Sequence, residues 1–251
     1  MITKINYEDN TYVIDFDSGI DLSINSRFNG ESPMFYGSQQ PTANPQISDG
    51  FIGDLKKGGS CNVPVVSLNV HCTGTHTESI SHVFDSNDMI TDACPRNFIP
   101  ACIISVEPEK ASLINETYHF DMSNDMVISK QALEQKLDKS YDAMIIRTHP
   151  NDISKISRNY DDHPAPFFTN DAMEYINQLK VKHLLVDMPS VDKADDGGLL
   201  GNHKIFFKQG RTISELLYVP NELLDGFGFL QIQIPNWNLD SAPSRPIFYP
   251  V

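Results

Sequence analysis

The chain has 251 residues, 40% of them hydrophobic, and a formal net charge of -14 at pH 7. This composition provides a core for one domain, which we expect to span residues 1–251, and the negative charge argues against nucleic acid or an anionic membrane surface as partners. The chain shows neither a signal peptide nor an uncharged apolar window of about 18 residues, so we expect a soluble, cytoplasmic protein.

The first part of the chain predicts strands separated by turns. Residues 5–7 and 12–16 flank a Glu-Asp-Asn turn, which favours a β-hairpin, and residues 20–23 begin the next strand. Residues 29–50 are rich in Gly, Pro, Asn and Ser, so we expect a long ordered loop there. Such a loop either covers a substrate or is a surface excursion, and the sequence leaves both alternatives open.

After residue 100 the pattern changes to strands that alternate with helices. Ser129 and Thr169 stand at the N-cap positions of two predicted helices, over residues 130–137 and 170–179. Strands are predicted on the apolar runs at 101–106, 143–148, 182–188 and 226–234. A strand–helix–strand order at this spacing is typical of a crossover unit, so we expect an α/β fold with a parallel or mixed sheet.

The stretch from residue 72 to residue 82 concentrates side chains with metal or proton chemistry. Cys72, His76, Glu78 and His82 follow one another at steps of four, two and four. In an extended segment all four point to one side, and the β-branched run at 63–70 favours such a segment. A thiol, two imidazoles and a carboxylate suit a borderline metal such as Zn²⁺. The neighbouring His71 is out of phase, so we expect it to face the other side and to be structural.

The same stretch resembles the motif of the cyclase or kynurenine formamidase-like metal-dependent hydrolases, which reads His-x-Gly-Thr-His-x-Asp-x-Pro-x-His. Four positions match this motif, namely Gly74, Thr75, His76 and His82. Three positions depart from it, namely Cys72 in place of His, Glu78 in place of Asp and Ile80 in place of Pro. A thiol and a longer carboxylate are both competent ligands, so the departures affect the expected metal and geometry more than the presence of a metal.

The resemblance extends over most of the chain. Residues 187–192 are similar to the family's Asp-x-x-Ser-x-Asp block, and residues 240–245 are similar to its closing Asp-Gly-Ser-Pro-x-Arg. His203 and Glu215 have the twelve-residue spacing of the family's remote ligands. The resemblance implies a swivelling β/β/α domain with a mixed sheet, and an assembly of two or four identical chains.

The resemblance also implies a site. Its metal ligands would be Cys72, His76, Glu78, His203 and Glu215, holding one or two divalent ions, with zinc expected first and manganese as the alternative. Such ions activate water and polarise a carbonyl. His82 would act as the general acid and base, and Glu215 is a second catalytic candidate. Cys72 remains open between a ligand and a small buried hydrophobe.

Two functions of different class follow from this reading. The first is a metal-dependent hydrolase acting on a small amide, lactam or ester, by resemblance an aromatic amide such as N-formylkynurenine or a lactam. The second is a family member that has lost catalysis and serves as a ligand-binding or interaction module. The second is motivated by the three departures inside the motif.

Overall fold

The computed structural model describes residues 1–137, 139–208 and 210–251. Within these residues the strands are β1 (Ile2–Tyr7), β2 (Asn10–Asp15), β3 (Ile20–Asp21), β4 (Thr42–Pro45), β5 (Ile47–Ser48), β6 (Phe51–Ile52), β7 (Pro64–Ser67), β8 (His76–Glu78), β9 (Ile99–Val106), β10 (Glu109–Lys110), β11 (Met126–Ile128), β12 (Ala143–Thr148), β13 (Phe167–Phe168), β14 (His183–Val186), β15 (Thr212–Glu215), β16 (Gly226–Gln233), β17 (Ser241–Pro243) and β18 (Arg245–Pro250). The α-helices are α1 (Ile90–Ala93), α2 (Lys130–Glu134), α3 (Asn170–Gln178) and α4 (Gly201–Phe207).

One nine-stranded mixed sheet organises the molecule. Its strand order is β17-β8-β15-β14-β12-β9-β16-β18-β3. The four central strands β9, β12, β14 and β15 run parallel, and the strands on both sides of them pair antiparallel. The predicted α/β class with a mixed sheet is confirmed.

The central strand β12 illustrates why this sheet is buried on both faces. All six of its residues are buried, and alternate side chains point to opposite faces of a strand. Met144 and Ile146 pack in the cluster that contains α3 and α4. Ala143 and Ile145 pack in a second cluster on the other face. Near-continuous apolar runs of this kind are typical of parallel strands covered on both sides.

Both predicted helix caps are present. The Ser129 hydroxyl accepts from the Ala132 N–H at 3.0 Å, and the Thr169 hydroxyl accepts from the Ala172 N–H at 3.0 Å. Helix α2 is shorter than predicted, because its last turn tightens into a bond from the Lys136 N–H to the Leu133 carbonyl. Among the described residues, no helix has both the length and the apolar character that crossing a membrane requires.

The predicted N-terminal hairpin is confirmed as β1 and β2, but the prediction of one long loop over residues 29–50 is wrong. Strand β4 and strand β5 lie inside it, and β4 pairs antiparallel with β7. The residues of β7 are all exposed. The β-branched run at 63–70 predicted extended backbone at β7. A strand with no buried face shows no apolar alternation, so the sequence did not indicate its pairing with β4.

Candidate metal centre

The stretch that begins at Cys72 is extended over three residues only, in β8. Before it, the Asn69 side-chain oxygen accepts from the N–H groups of His71 and Cys72 at 3.1 and 3.2 Å. The Asn69 carbonyl accepts from the Thr73 N–H and hydroxyl at 3.2 and 2.6 Å, which closes a turn. After β8, a 3-10 turn runs over Ile80–His82. The expectation that residues 72–82 form one extended segment is wrong, because local Asx-type hydrogen bonds replaced the strand.

Strand β8 aims His76 and Glu78 to the same side, as the two-residue period requires. It lies between β17 and β15, where His76 is the direct partner of Glu215. His76 Nε2 is 3.5 Å from Glu215 Oε2 and 3.9 Å from Glu78 Oε2. Sheet pairing therefore brings the carboxylate at the end of β15 to the residues of the motif.

Helix α4 contributes the fourth side chain. His203 Nε2 lies 3.1 Å from Glu78 Oε1 and 3.5 Å from Glu215 Oε1. All four residues are essentially buried. We refer to His76, Glu78, His203 and Glu215 as the four-residue cluster, and it brings together four of the five side chains predicted to be ligands.

Two atoms of the four-residue cluster lack a hydrogen-bond partner among the described residues, namely His76 Nε2 and Glu78 Oε1. His76 donates from Nδ1 to the Gly74 carbonyl at 3.1 Å, which leaves the lone pair on Nε2. Buried polar atoms are rarely left unpaired, because each one costs the free energy of its desolvation. An imidazole lone pair and a carboxylate oxygen are ligands for a divalent cation, so the residues present fit a metal ion.

Opposite charges within and around the cluster shift one another's pKa. Burial by itself would raise the pKa of Glu78, but the imidazoles of His82 and His203 outweigh it and hold that pKa well below its ordinary value. Burial would lower the pKa of His203, but Glu78 and Asp192 outweigh it and raise that pKa well above its ordinary value. The Glu78 carboxylate thus stays ionised although it is buried.

The block at residues 187–192 orients the cluster. Asp192 Oδ2 accepts from His203 Nδ1 at 2.7 Å and from the His203 N–H at 3.0 Å. The Val191 N–H donates to Glu215 Oε1 at 3.0 Å. These contacts turn His203 Nε2 toward the two glutamates, which is the usual arrangement of a second carboxylate behind a ligating histidine. The family resemblance pointed to residues 187–192, but no role was predicted for them.

A second group of side chains lines the outer side of the cluster. His82 Nε2 is 3.6 Å from Glu78 Oε2, and its Nδ1 is 3.3 Å from Asp240 Oδ2. His71 Nδ1 is 3.0 Å from Glu78 Oε2, and its ring stacks on His82 with the centroids 4.2 Å apart. The expectation that His71 faces away is wrong, because the turn at Asn69 breaks the strand alternation on which it rested.

Cys72 takes a different position. It packs beside an apolar cluster that contains Phe35, Tyr160 and Leu216. Burial, assisted by the charge of Glu215, raises the pKa of its thiol to about 11. Groups of possible ligand atoms within 4.8 Å of one another combine histidines with carboxylates, and none in the described part of the chain includes Cys72. The geometry favours the second of the two alternatives for this residue, a small partly buried hydrophobe.

Residues 20–193, more than half of the chain, match the putative cyclase family. The chain belongs to the putative cyclase family, and the resemblance read from the motif is confirmed.

Individual relatives are similar at low identity. The chain is 24% identical over 197 residues to a kynurenine formamidase of Bacillus mycoides (strain KBAB4), covering 78% of this chain and 84% of the relative. A structure described as a predicted metal-dependent hydrolase from Bacillus stearothermophilus superposes with a TM-score of 0.62 at 17% identity, covering 92% of this chain and 97% of the other. Isatin hydrolase A from Labrenzia aggregata, bound to benzyl benzoate, gives a TM-score of 0.64 at 15% identity, with 92% and 93% covered. The two structures share the fold of this chain.

Proposed function

We propose that this protein is a metal-dependent hydrolase that cleaves the C–N bond of a small amide or lactam. One observation supports the proposal most directly. His76 Nε2 and Glu78 Oε1 are buried without a hydrogen-bond partner among the described residues, inside a cluster that also contains His203 and Glu215. Their desolvation is compensated when a cation accepts their lone pairs.

The four-residue cluster would hold the divalent ion. Two imidazoles and two carboxylates are a donor set that Zn²⁺ accepts readily and that Mn²⁺ also accepts. When bound, such an ion supplies Lewis acidity toward a carbonyl oxygen and lowers the pKa of water. Asp192 and the Val191 N–H hold His203 and Glu215 in the orientation that binding an ion would need.

His82 would move the proton. With Asp240 accepting from Nδ1, the lone pair is on Nε2, which lies on the side of Glu78. The His82 side chain is 24% exposed, whereas Glu78 is fully buried, so an entering substrate can reach His82 but not Glu78. In hydrolysis Nε2 would take a proton from water as the C–O bond forms. It would then return that proton to the leaving nitrogen as the C–N bond breaks.

An aromatic substrate is favoured by the neighbourhood of the cluster. Leu216 follows Glu215 directly and belongs to the apolar cluster with Phe35 and Tyr160, beside Cys72. These side chains form an apolar flank next to the Glu215 carboxylate, and the apolar part of an aromatic substrate is compatible with such surroundings. The names of the relatives, kynurenine formamidase and isatin hydrolase, point to aromatic compounds as well. We therefore propose an aromatic amide or lactam as the substrate class.

Elemental analysis combined with a turnover assay tests the proposal. The protein should retain zinc or manganese in stoichiometric amount and should hydrolyse N-formylkynurenine or isatin until a chelator is added. Glu215→Gln should lose both properties, while His163→Gln, at an exposed histidine outside the cluster, should keep both.

Other outcomes decide between the two functions. Retained metal without turnover of any amide or lactam would favour the ligand-binding module instead. A protein that binds no divalent metal when reconstituted would refute the hydrolase.

A further inference from the structure

We propose that His71, not Cys72, is a further ligand of the metal centre, beside the four-residue cluster. Asp240 is the positioning residue of His71. This inference rests on the proposed function, because it assigns one more ligand to the same ion. It differs from the expectation drawn from the motif, in which the residue at position 72 is the first ligand.

The backbone before β8 explains why residue 71, and not residue 72, faces the metal centre. The Asn69 side chain accepts from two successive N–H groups, those of His71 and Cys72, and its carbonyl binds Thr73. Inside such a turn the side chains do not alternate as they do in a strand. The turn directs His71 toward Glu78 and Cys72 toward the apolar cluster of Phe35.

The contacts of His71 match those of a metal-bound histidine. Its Nδ1 lies 3.0 Å from Glu78 Oε2, and one ring nitrogen of His71 lies within 4.8 Å of ligand atoms of both His76 and Glu78. Its other nitrogen, Nε2, lies 3.1 Å from Asp240 Oδ2 and 2.8 Å from the Ser241 hydroxyl. A ligating imidazole usually donates its second N–H to a carboxylate in this way, which sets the tautomer and the ring orientation.

The position of Cys72 argues against the thiol. Cys72 packs beside the apolar side chains of Phe35 and Tyr160, and within the described residues it belongs to no group of mutually close ligand atoms. Leu216 and Tyr160 also bury part of its surface. The side chain at position 72 therefore fills space at the apolar flank.

Metal affinity of matched alanine variants tests the assignment. His71→Ala should weaken zinc binding by about 100-fold, measured by competition with a chromophoric chelator, because it removes a ligand. Cys72→Ala should stay within about threefold of the parent protein. Asp240→Ala should weaken binding by roughly 10- to 100-fold, and Asp240→Asn should recover part of the loss, since its amide oxygen still accepts from Nε2–H.

The cobalt spectrum provides a second measurement that needs no destabilising variant. The Co²⁺-substituted parent protein should lack the near-ultraviolet charge-transfer band of a cobalt–thiolate bond, and Cys72→Ala should leave the visible spectrum unchanged. A thiolate band that disappears in Cys72→Ala would overturn the inference while leaving the hydrolase intact. Unchanged zinc affinity in a folded His71→Ala would also overturn it. A parent protein that binds neither zinc nor cobalt would overturn the inference and the proposed function together.

Discussion

Two buried charged groups of this molecule differ in how their polar atoms are satisfied. The first is the four-residue cluster. The second is the ion pair of Lys155 and Asp187, 2.8 Å apart and nearly inaccessible. Lys155 Nζ also donates to the Thr148 carbonyl and hydroxyl at 2.7 and 2.9 Å. Asp187 accepts from the Thr148 N–H and hydroxyl, both at 2.9 Å.

The ion pair is therefore complete, whereas the four-residue cluster is open at His76 Nε2 and Glu78 Oε1. A third group, His119 with Asp196, resembles a metal site in residue type, yet the Asp196 carboxylate already accepts from the N–H groups of Gly198, Leu199 and Leu200. Buried charge by itself does not identify a functional site in this protein. What distinguishes the four-residue cluster is that, within the described part of the chain, an imidazole nitrogen and a carboxylate oxygen both lack a hydrogen bond there, and a divalent cation can accept the lone pairs of both.

The largest effect is expected from a substitution within the four-residue cluster. Glu78→Gln removes the carboxylate charge that four imidazoles face. Hydrolysis of an aromatic amide should therefore fall by about 10³-fold or more, and metal retention should drop. Steady-state kinetics and elemental analysis measure both. Glu174→Gln, at an exposed position of α3, is the matched control. Full activity in Glu78→Gln would remove Glu78 from the site.

Disrupting the ion pair of Lys155 and Asp187 should lower the free energy of unfolding without changing metal binding. Lys155→Met leaves the Asp187 carboxylate buried without its counter-charge, which costs about 3–5 kcal/mol of unfolding free energy. Urea denaturation should record this loss, while the metal content of the folded protein stays unchanged. Lys182→Met breaks a surface pair with Asp142 and should cost about 1 kcal/mol or less. If folded Lys155→Met loses its metal, the ion pair is not independent of the metal centre and the contrast between the two groups is wrong.

Replacing the carboxylate that orients His203 should have an intermediate effect. Asp192→Asn replaces the anion that accepts from His203 Nδ1 and should lower metal affinity by roughly 10- to 100-fold. Chelator competition measures the affinity, and circular dichroism verifies that the variant is folded. If Asp192→Asn binds metal as tightly as the parent, the orientation of His203 does not depend on this carboxylate.

The smallest effect concerns a buried histidine outside both groups. Burial, assisted by Lys182 and opposed by Asp142, lowers the pKa of His183 to about 4 from its ordinary 6.5. The unfolded chain then binds a proton that the folded chain does not, so this stability is complete above pH 6.5 and is lost as the pH falls toward about 4. Between about pH 7.5 and about pH 5 the loss should be about 2 kcal/mol.

The control for this prediction is His183→Asn, which preserves a polar contact to Thr212 but does not titrate in this range. Urea denaturation of both proteins across the pH range isolates the contribution of the histidine from that of the carboxylates. Parallel pH profiles for the two proteins would contradict the assignment.

The sequence predicted which residues of the candidate site come together better than it predicted their geometry. The motif and the twelve-residue spacing identified His76, Glu78, His203 and Glu215, which the fold brings together. The position of His71 was predicted wrongly, because strand alternation was assumed where Asn69 closes a turn. The part played by Asp240 could not be read at all, since its partners His71 and His82 are more than 150 residues away in the chain.

The sequence by itself determined the elements whose signals are local. The apolar run of β12, the Ser129 and Thr169 caps and the first hairpin depend on side-chain period and on hydrogen bonds between neighbours, and they form where predicted. Only the tertiary structure decided which atoms of the site remain unpaired. That outcome depends on β8, β15 and α4 meeting at one point, and no local pattern specifies contacts between segments so distant in the chain.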